Sequence, residues 1–414
     1  MPLSREEITH LLRRGLPVER YRGRRLLVVI PDTTRSGPTS FFFHTLADIL
    51  APVAKQVDFL IALGTHPQIP KDALERFLNL PRGNLFPSHV GLFQHRWDDE
   101  TQLVCLGEIS ASEMREISGG LLDEDIPVPV NRKVCECDEI ILVGPVFPHE
   151  VVGMSGGLKY LFPGVSGPDF LHRFHWLGAL ITNLKINGVK DTPVRRAITR
   201  AASLVPAPIT LVSYVVKDKE VYGLFCGDDE AWSAAADLSA RLNIRYTDRS
   251  YRFVLSMAPL MYDDIWTAGK CMYKLEPVVE DGGTLVIHAP HITEVSYTHG
   301  ALIRQVGYHT RDYFLCQMEK FRHIPGCILA HSTHVKGIGT FRNGVEKPRI
   351  EVVLATGIPE ETCRRINLGY RDWRSISPEA FEGREDEGML VVREAGEVLY
   401  RRADRFIPEV DKLS

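Results

Sequence analysis

Short apolar, β-branched runs alternate along the chain with polar or amphipathic stretches. The clearest runs are Arg25–Pro31 (RLLVVIP), 57–63 (VDFLIAL), 139–144 (EIILVG), 209–216, 284–288 (TLVIH) and 350–355 (IEVVLA). Most are continuously apolar, as expected for strands covered on both faces of a mainly parallel sheet. Between them Lys71–Leu78, opened by Pro70, predicts a helix, as does the alanine-rich stretch 229–242. The alternation argues for an α/β class. A polar segment at 243–251 follows that helix and leads to a new strand at 253–257, which marks a domain boundary. The chain is too long for one ordinary core, so two domains are expected, 1–245 and 246–387. The charged stretch 388–414 is a candidate to return to the first of them.

Composition narrows the classes. The chain is 44% apolar and 25% charged, which leaves no room for a long disordered or fibrous tract. Its 49 basic and 53 acidic residues give a net charge of −4, so no nucleic-acid partner is expected. No apolar run reaches the roughly 18–20 residues of a membrane span, and 1–14 reads as an amphipathic helix start without the apolar core of a signal peptide. The eight cysteines are scattered; Cys135 and Cys137 form a C-x-C pair with no second pair at zinc-site spacing. Free thiols in a reducing cytoplasm are the expectation.

Three strands run directly into polar clusters able to do chemistry. They are Asp32-Thr33-Thr34-Arg35, Gly64-Thr65-His66-Pro67 and Pro148-His149-Glu150. In open α/β sheets ligands lie outside the carboxyl ends of strands, which would bring three such loops to one crevice. Any one of them is equally well read as a turn with a cap, since Asp and Thr favour both.

The stretch Met154-Ser155-Gly156-Gly157-Leu158-Lys159, followed by Pro163-Gly164, is the most informative. Adjacent glycines let backbone N–H groups approach a ligand. The spacing matches neither a Walker A loop nor a dinucleotide fingerprint. Alone, a glycine turn with a surface lysine is the commoner meaning. His149 precedes Lys159 by ten residues and His175 follows it by sixteen. Imidazole suits both borderline metals and proton transfer near neutral pH. His172 reads as structural, His288, His291, His331 and His334 as loop and strand-end histidines, and 94–99 as a solvated turn.

In this order, D-x-T-R, G-T-H-P, F-P-H-E, S-G-G-x-K-x-x-x-P-G and a histidine sixteen residues beyond the lysine, the chain resembles the nickel-pincer nucleotide-dependent lactate racemase family. The stretch 97–106 and Trp266-Thr267-Ala268-Gly269-Lys270 look like it too, so the resemblance runs from about Arg24 to Lys270. It implies a 2-hydroxyacid racemase or epimerase of two α/β domains with mainly parallel sheets and the active site in the cleft between them. Lys159 matches the lysine that carries the nickel-pincer nucleotide in a covalent thioamide. His175 matches the protein's nickel ligand, and His66 and His149 the two catalytic histidines. Arg35 and Lys270 match the cations that hold the substrate, Asp32 and Thr34 positions beside the cofactor, and Ser155, Gly156 and Gly157 those near its phosphate and ring.

The chemistry implied is proton-coupled hydride transfer. The Cα–H bond of a 2-hydroxyacid is far too weakly acidic for a side chain, so a hydride acceptor takes it while a histidine takes the hydroxyl proton. The implied partners are a small 2-hydroxyacid and the enzymes that make and load the cofactor. Thr267 stands where the lactate enzymes carry glutamine, and Thr33 where others carry His or Ala, so the resemblance supports the reaction class better than lactate itself. Two rivals remain. A nicotinamide-type dehydrogenase lacks its glycine fingerprint here, and a non-catalytic carrier of the pincer cofactor would not need both histidines.

Overall fold

A computed structural model describes residues 1–80 and 86–408. The chain divides into two compact units: Met1–Phe147, Met154–Leu171 and Lys190–Leu242 form the first, and Pro148–Gly153, His172–Val189 and the chain from Asn243 onward the second.

The first unit is built on a six-stranded sheet of β1 (Arg25–Pro31), β2 (Gln56–Ala62), β3 (Val90–Gln94), β4 (Glu139–Pro145), β5 (Ile209–Lys217) and β6 (Glu220–Gly227). Its order is β6-β5-β4-β1-β2-β3, all parallel except the edge hairpin β5–β6. In β1 every residue after Arg25 is buried, which is why its sequence is apolar without alternation. From β1 the chain builds outward through β2 and β3, then returns to place β4 on the other side of β1. The sheet therefore has a topological switch point between β1 and β4, where ligands of open α/β sheets bind. One face is covered by the helices Arg5–Gly15 and Thr39–Leu50, whose Leu12, Phe42, Phe43 and Leu46 join Val28, Ile30, Phe59 and Ile61 in one core.

The second unit has an all-parallel five-stranded sheet of β7 (Tyr251–Met257), β8 (Val279–Ala289), β9 (Glu351–Thr356), β10 (Gly369–Tyr370) and β11 (Met389–Val392), in the order β10-β9-β8-β7-β11. Leu255, Val286, Val353, Ala355 and Ile376 pack together on it. The C-terminal stretch 388–414 does not complete the first unit. Its strand β11 pairs with β7, and Leu399–Arg402 pairs with Ile244–Thr247, both within the second unit. The end of that stretch, 409–414, lies outside the described residues. Among the described residues no helix is long and apolar enough to cross a membrane.

Candidate functional site

In the first unit β1 and β2 deliver their loops to the same end of the sheet. Asp32 follows the last residue of β1 and is almost fully buried. Its Oδ1 accepts from the Thr34 N–H at 3.2 Å and from the Thr34 hydroxyl at 2.7 Å, a local turn of the kind Asp favours. Its Oδ2 is left for a residue 34 positions away: His66 Nδ1 lies 2.5 Å from it. His66 remains partly open, with a quarter of its side chain exposed. Arg35 braces the group through its Nη1, which donates to the Thr34 hydroxyl oxygen at 3.1 Å. Burial works against the Asp32 carboxylate, yet the charge and hydrogen bond of His66, then Arg35 and Thr34, hold it ionised well below the usual range. Gly64 makes the turn into this loop at φ +55°, and its N–H donates to the Gly164 carbonyl at 3.0 Å. A Cβ added at Gly64 would meet nothing within 4 Å. The structure thus brings Asp32, Thr34, Arg35 and His66 into one hydrogen-bonded chain.

Beyond β4, Ser155 is buried with its hydroxyl committed. It accepts from the Phe147 N–H at 2.8 Å and donates to the Pro145 carbonyl at 3.2 Å, tying the glycine segment to the end of the strand. Gly156 and Gly157 take φ of +78° and +58°, which glycine adopts without penalty. A short 3₁₀ turn, Gly157–Tyr160, then carries the half-buried Lys159. Tyr160 packs against Gly144 of β4, where a Cβ would come within 2.1 Å of its ring. Burial pushes the Tyr160 phenol up, and Asp32 and Arg35 are near enough to act on it. The D-x-T-R loop and the lysine turn therefore flank the switch point between β1 and β4.

The second unit holds the remaining candidates. His149 Nδ1 accepts from the Val151 N–H at 3.1 Å, with Glu150 Oε2 3.3 Å away. The carbonyl of neighbouring Pro148 is held by the Lys274 ammonium. His175 is half-buried on the helix Pro168–Ile181, edge-on to Phe174. Lys270 follows β7 through two consecutive short helical turns, Ile265–Ala268 and Lys270–Tyr273, with Gly269 between them also in helical conformation. Asp264 caps the first turn by accepting from the Thr267 N–H at 2.9 Å. The Lys270 ammonium lies 4.7 Å from the centre of the Tyr262 ring.

Two expectations need correction. His331 and His334 are not loop residues: they lie on the helix Gly326–Lys336, buried, and the Tyr308 hydroxyl is 3.2 Å from His331 Nε2. Trp266, one helical turn before Lys270, packs on both His299 and His331 at 4.4 and 4.3 Å between ring centres. Burial, then the neighbouring His334, His299 and His175, drives His331 toward its neutral form. This imidazole group was invisible as a motif; the H-x-x-H spacing at 331–334 was its only trace. His95 likewise is no solvated turn. It is 1% exposed, bonded to the Ser166 carbonyl at 3.0 Å and to the Asn131 amide at 3.3 Å. Among the described residues no three His, Cys, Asp or Glu side chains form a metal-holding group.

Comparison with known proteins adds the following. Residues 11–186 match the lactate racemase N-terminal domain family. The chain is 23% identical over 276 residues to a lactate racemase of Lactiplantibacillus plantarum, and 22% identical over 269 residues to one of Thermoanaerobacterium thermosaccharolyticum. These matches cover 65% and 64% of this chain and span 61% and 59% of the relatives' lengths. A solved Thermotoga maritima protein shares the fold with a TM-score of 0.89 at 33% identity, covering 97% of this chain and 99% of its own. The lactate racemase apoprotein of Thermoanaerobacterium thermosaccharolyticum aligns with a TM-score of 0.74 at 17% identity, over 97% of this chain and 94% of its own.

Proposed function

We propose that this chain, whose residues 11–186 match the lactate racemase N-terminal domain family, is a racemase or epimerase that inverts the α-carbon of a 2-hydroxyacid using a nickel-pincer nucleotide tethered to Lys159. The observation that carries this reading is the Asp32–His66 pair. A buried ionised carboxylate fixes an imidazole at the carboxyl end of β1 and β2, with Arg35 bonded into the same chain.

The residues present fit the group. Lys159 stands on a turn entered through two glycines of positive φ, where a Cβ at Gly157 would meet the Trp232 ring and one at Gly156 would meet Val146. His175 would be the protein's one nickel ligand, a role that requires no cluster of protein donors. When bound, the group supplies the two-electron acceptor and donor that a weakly acidic Cα–H bond requires.

The chain's own residues handle the proton and the carboxylate. An ionised Asp32 only accepts, so His66 Nδ1 donates to it in either form of the ring, and in the neutral form the Nε2 lone pair is left to take a hydroxyl proton. His149 is the second such group, its Nδ1 lying 3.1 Å from the Val151 N–H and 3.3 Å from Glu150 Oε2. Racemisation needs two groups able to exchange the hydroxyl proton, since each enantiomer presents its hydroxyl differently. The planar fork of Arg35 suits the substrate carboxylate, and the Lys270 ammonium a second oxygen. His66→Ala and His149→Ala test the assignment. Each should abolish racemisation while the protein keeps the cofactor; unchanged turnover in either would sink the two-histidine scheme.

A further inference from the structure

Behind the glycine segment lies a buried cation without a carboxylate partner. Arg195, on the helix Pro193–Ala202, is 7% exposed. Its guanidinium donates to the carbonyls of Met154 and, at 3.4 Å, of Gly156, while its Nε–H meets no partner. Burial pulls it down to about 9, and Asp229 opposes this only through its charge, without an ion-pair contact. The guanidinium carbon lies 4.0 Å from the ring centre of Trp232, on the helix Asp229–Asn243, and the indole N–H donates to the Ser155 carbonyl at 2.9 Å. Three successive carbonyls, those of Met154, Ser155 and Gly156, thus accept from one stacked pair. In trans peptides the N–H points opposite the C=O, so the N–H groups of Gly156 and Gly157 are turned away from that pair. The glycines are part of the same device. A Cβ at Gly157 would stand 2.8 Å from the Trp232 ring, and one at Gly156 2.7 Å from Val146.

A buried arginine left without a counter-charge is costly to keep. We propose that Arg195 and Trp232 are positioning residues that hold 154–157 in the conformation from which Lys159 is loaded. This rests on the reading of Lys159 as the tether. Loading condenses the Lys159 amine with a thiocarboxylic acid carbon of the nucleotide: a C–N bond forms, a C–O bond breaks, one water leaves, and no electrons are transferred. Arg195 and Trp232 touch no reacting atom in that step. They fix the backbone that presents the amine.

The test uses full-length apoprotein incubated with the nickel-pincer nucleotide, following the mass gain at Lys159 alongside the melting temperature. Trp232→Phe keeps an aromatic wall but loses the bond to Ser155; Arg195→Lys keeps the charge but cannot span both carbonyls. Each should load roughly tenfold more slowly, the rate equivalent of about 1.4 kcal/mol. Ile198→Ala, on the same helix as Arg195, supplies a control that lowers stability by a core cavity alone and should load at the wild-type rate. Loading that tracks melting temperature across all three variants would overturn the inference, as would wild-type loading in both Trp232→Phe and Arg195→Lys. A wild-type chain that gains no mass would overturn the tether reading and this inference with it.

Discussion

Replacing Asp32 with asparagine changes the proton inventory of the site without changing its shape. In the native chain Oδ1 is pinned by two donors, the N–H and the hydroxyl of Thr34, and only Oδ2 faces His66. An asparagine must give its carbonyl oxygen to Thr34, since two donors already converge there. Its amide NH₂ is thereby turned toward His66 Nδ1, which must now accept. The imidazole proton moves to Nε2, the atom that has to take the substrate's hydroxyl proton, and the base is lost with the ring still in place. A wrong tautomer in a buried carboxylate–imidazole pair costs about 10⁴ in kcat, on the order of 5 kcal/mol in the barrier. Asp32→Asn should therefore reduce kcat by roughly 10³–10⁴, with KM moved far less and cofactor content unchanged. The assay is chiral chromatography of product formed from each enantiomer, normalised to the loaded fraction by intact mass. Turnover within threefold of wild type at equal loading would show that Asp32 does not set the proton position on His66.

The remaining predictions concern the scaffold. Burial holds His95 neutral, down to about 4, so the folded chain refuses a proton that the unfolded chain takes below about 6.5. Its contribution to stability is full above pH 6.5 and declines by about 1.4 kcal/mol per pH unit as pH falls toward 4. His95→Gln should flatten the pH dependence of urea unfolding in that window, and an unchanged slope would contradict the assignment. Gly157→Ala places a Cβ against Trp232 at a left-handed position, and should lower stability by about 1–3 kcal/mol while leaving little cofactor on Lys159. A stable, fully loaded alanine variant would show that the turn is not constrained as described.

Much of the fold was legible because the central strands are buried on both faces. Arg25–Pro31 and Lys71–Leu78 could be read from the sequence, the first from its unbroken apolar run and the second from Pro70 at its start. The strand Val90–Gln94 was not, because at the sheet edge none of its residues is fully buried and its sequence lacks that run. The helix Gly326–Lys336 was missed for the opposite reason. From Cys327 to Lys336 every residue is buried, so no polar face marks its period and its histidines read as loop residues. At the site, Asp32, Thr34, Arg35 and His66 were legible as polar clusters ending apolar runs. That Asp32 and His66 form one pair was not, since contact across 34 residues is set by the parallel register of β1 and β2. Arg195 and Trp232 left no signal at all. They act on backbone carbonyls, and a carbonyl places no demand on sequence that a motif could record.

The decisive property is a nickel-pincer nucleotide on Lys159. Its most direct test is the intact mass and nickel content of the full-length chain, co-expressed with the enzymes that make that cofactor. An adduct mapping to Lys159 and about one nickel per chain are expected, as a single site requires. An unmodified, nickel-free chain from cells in which a known lactate racemase is loaded would contradict this.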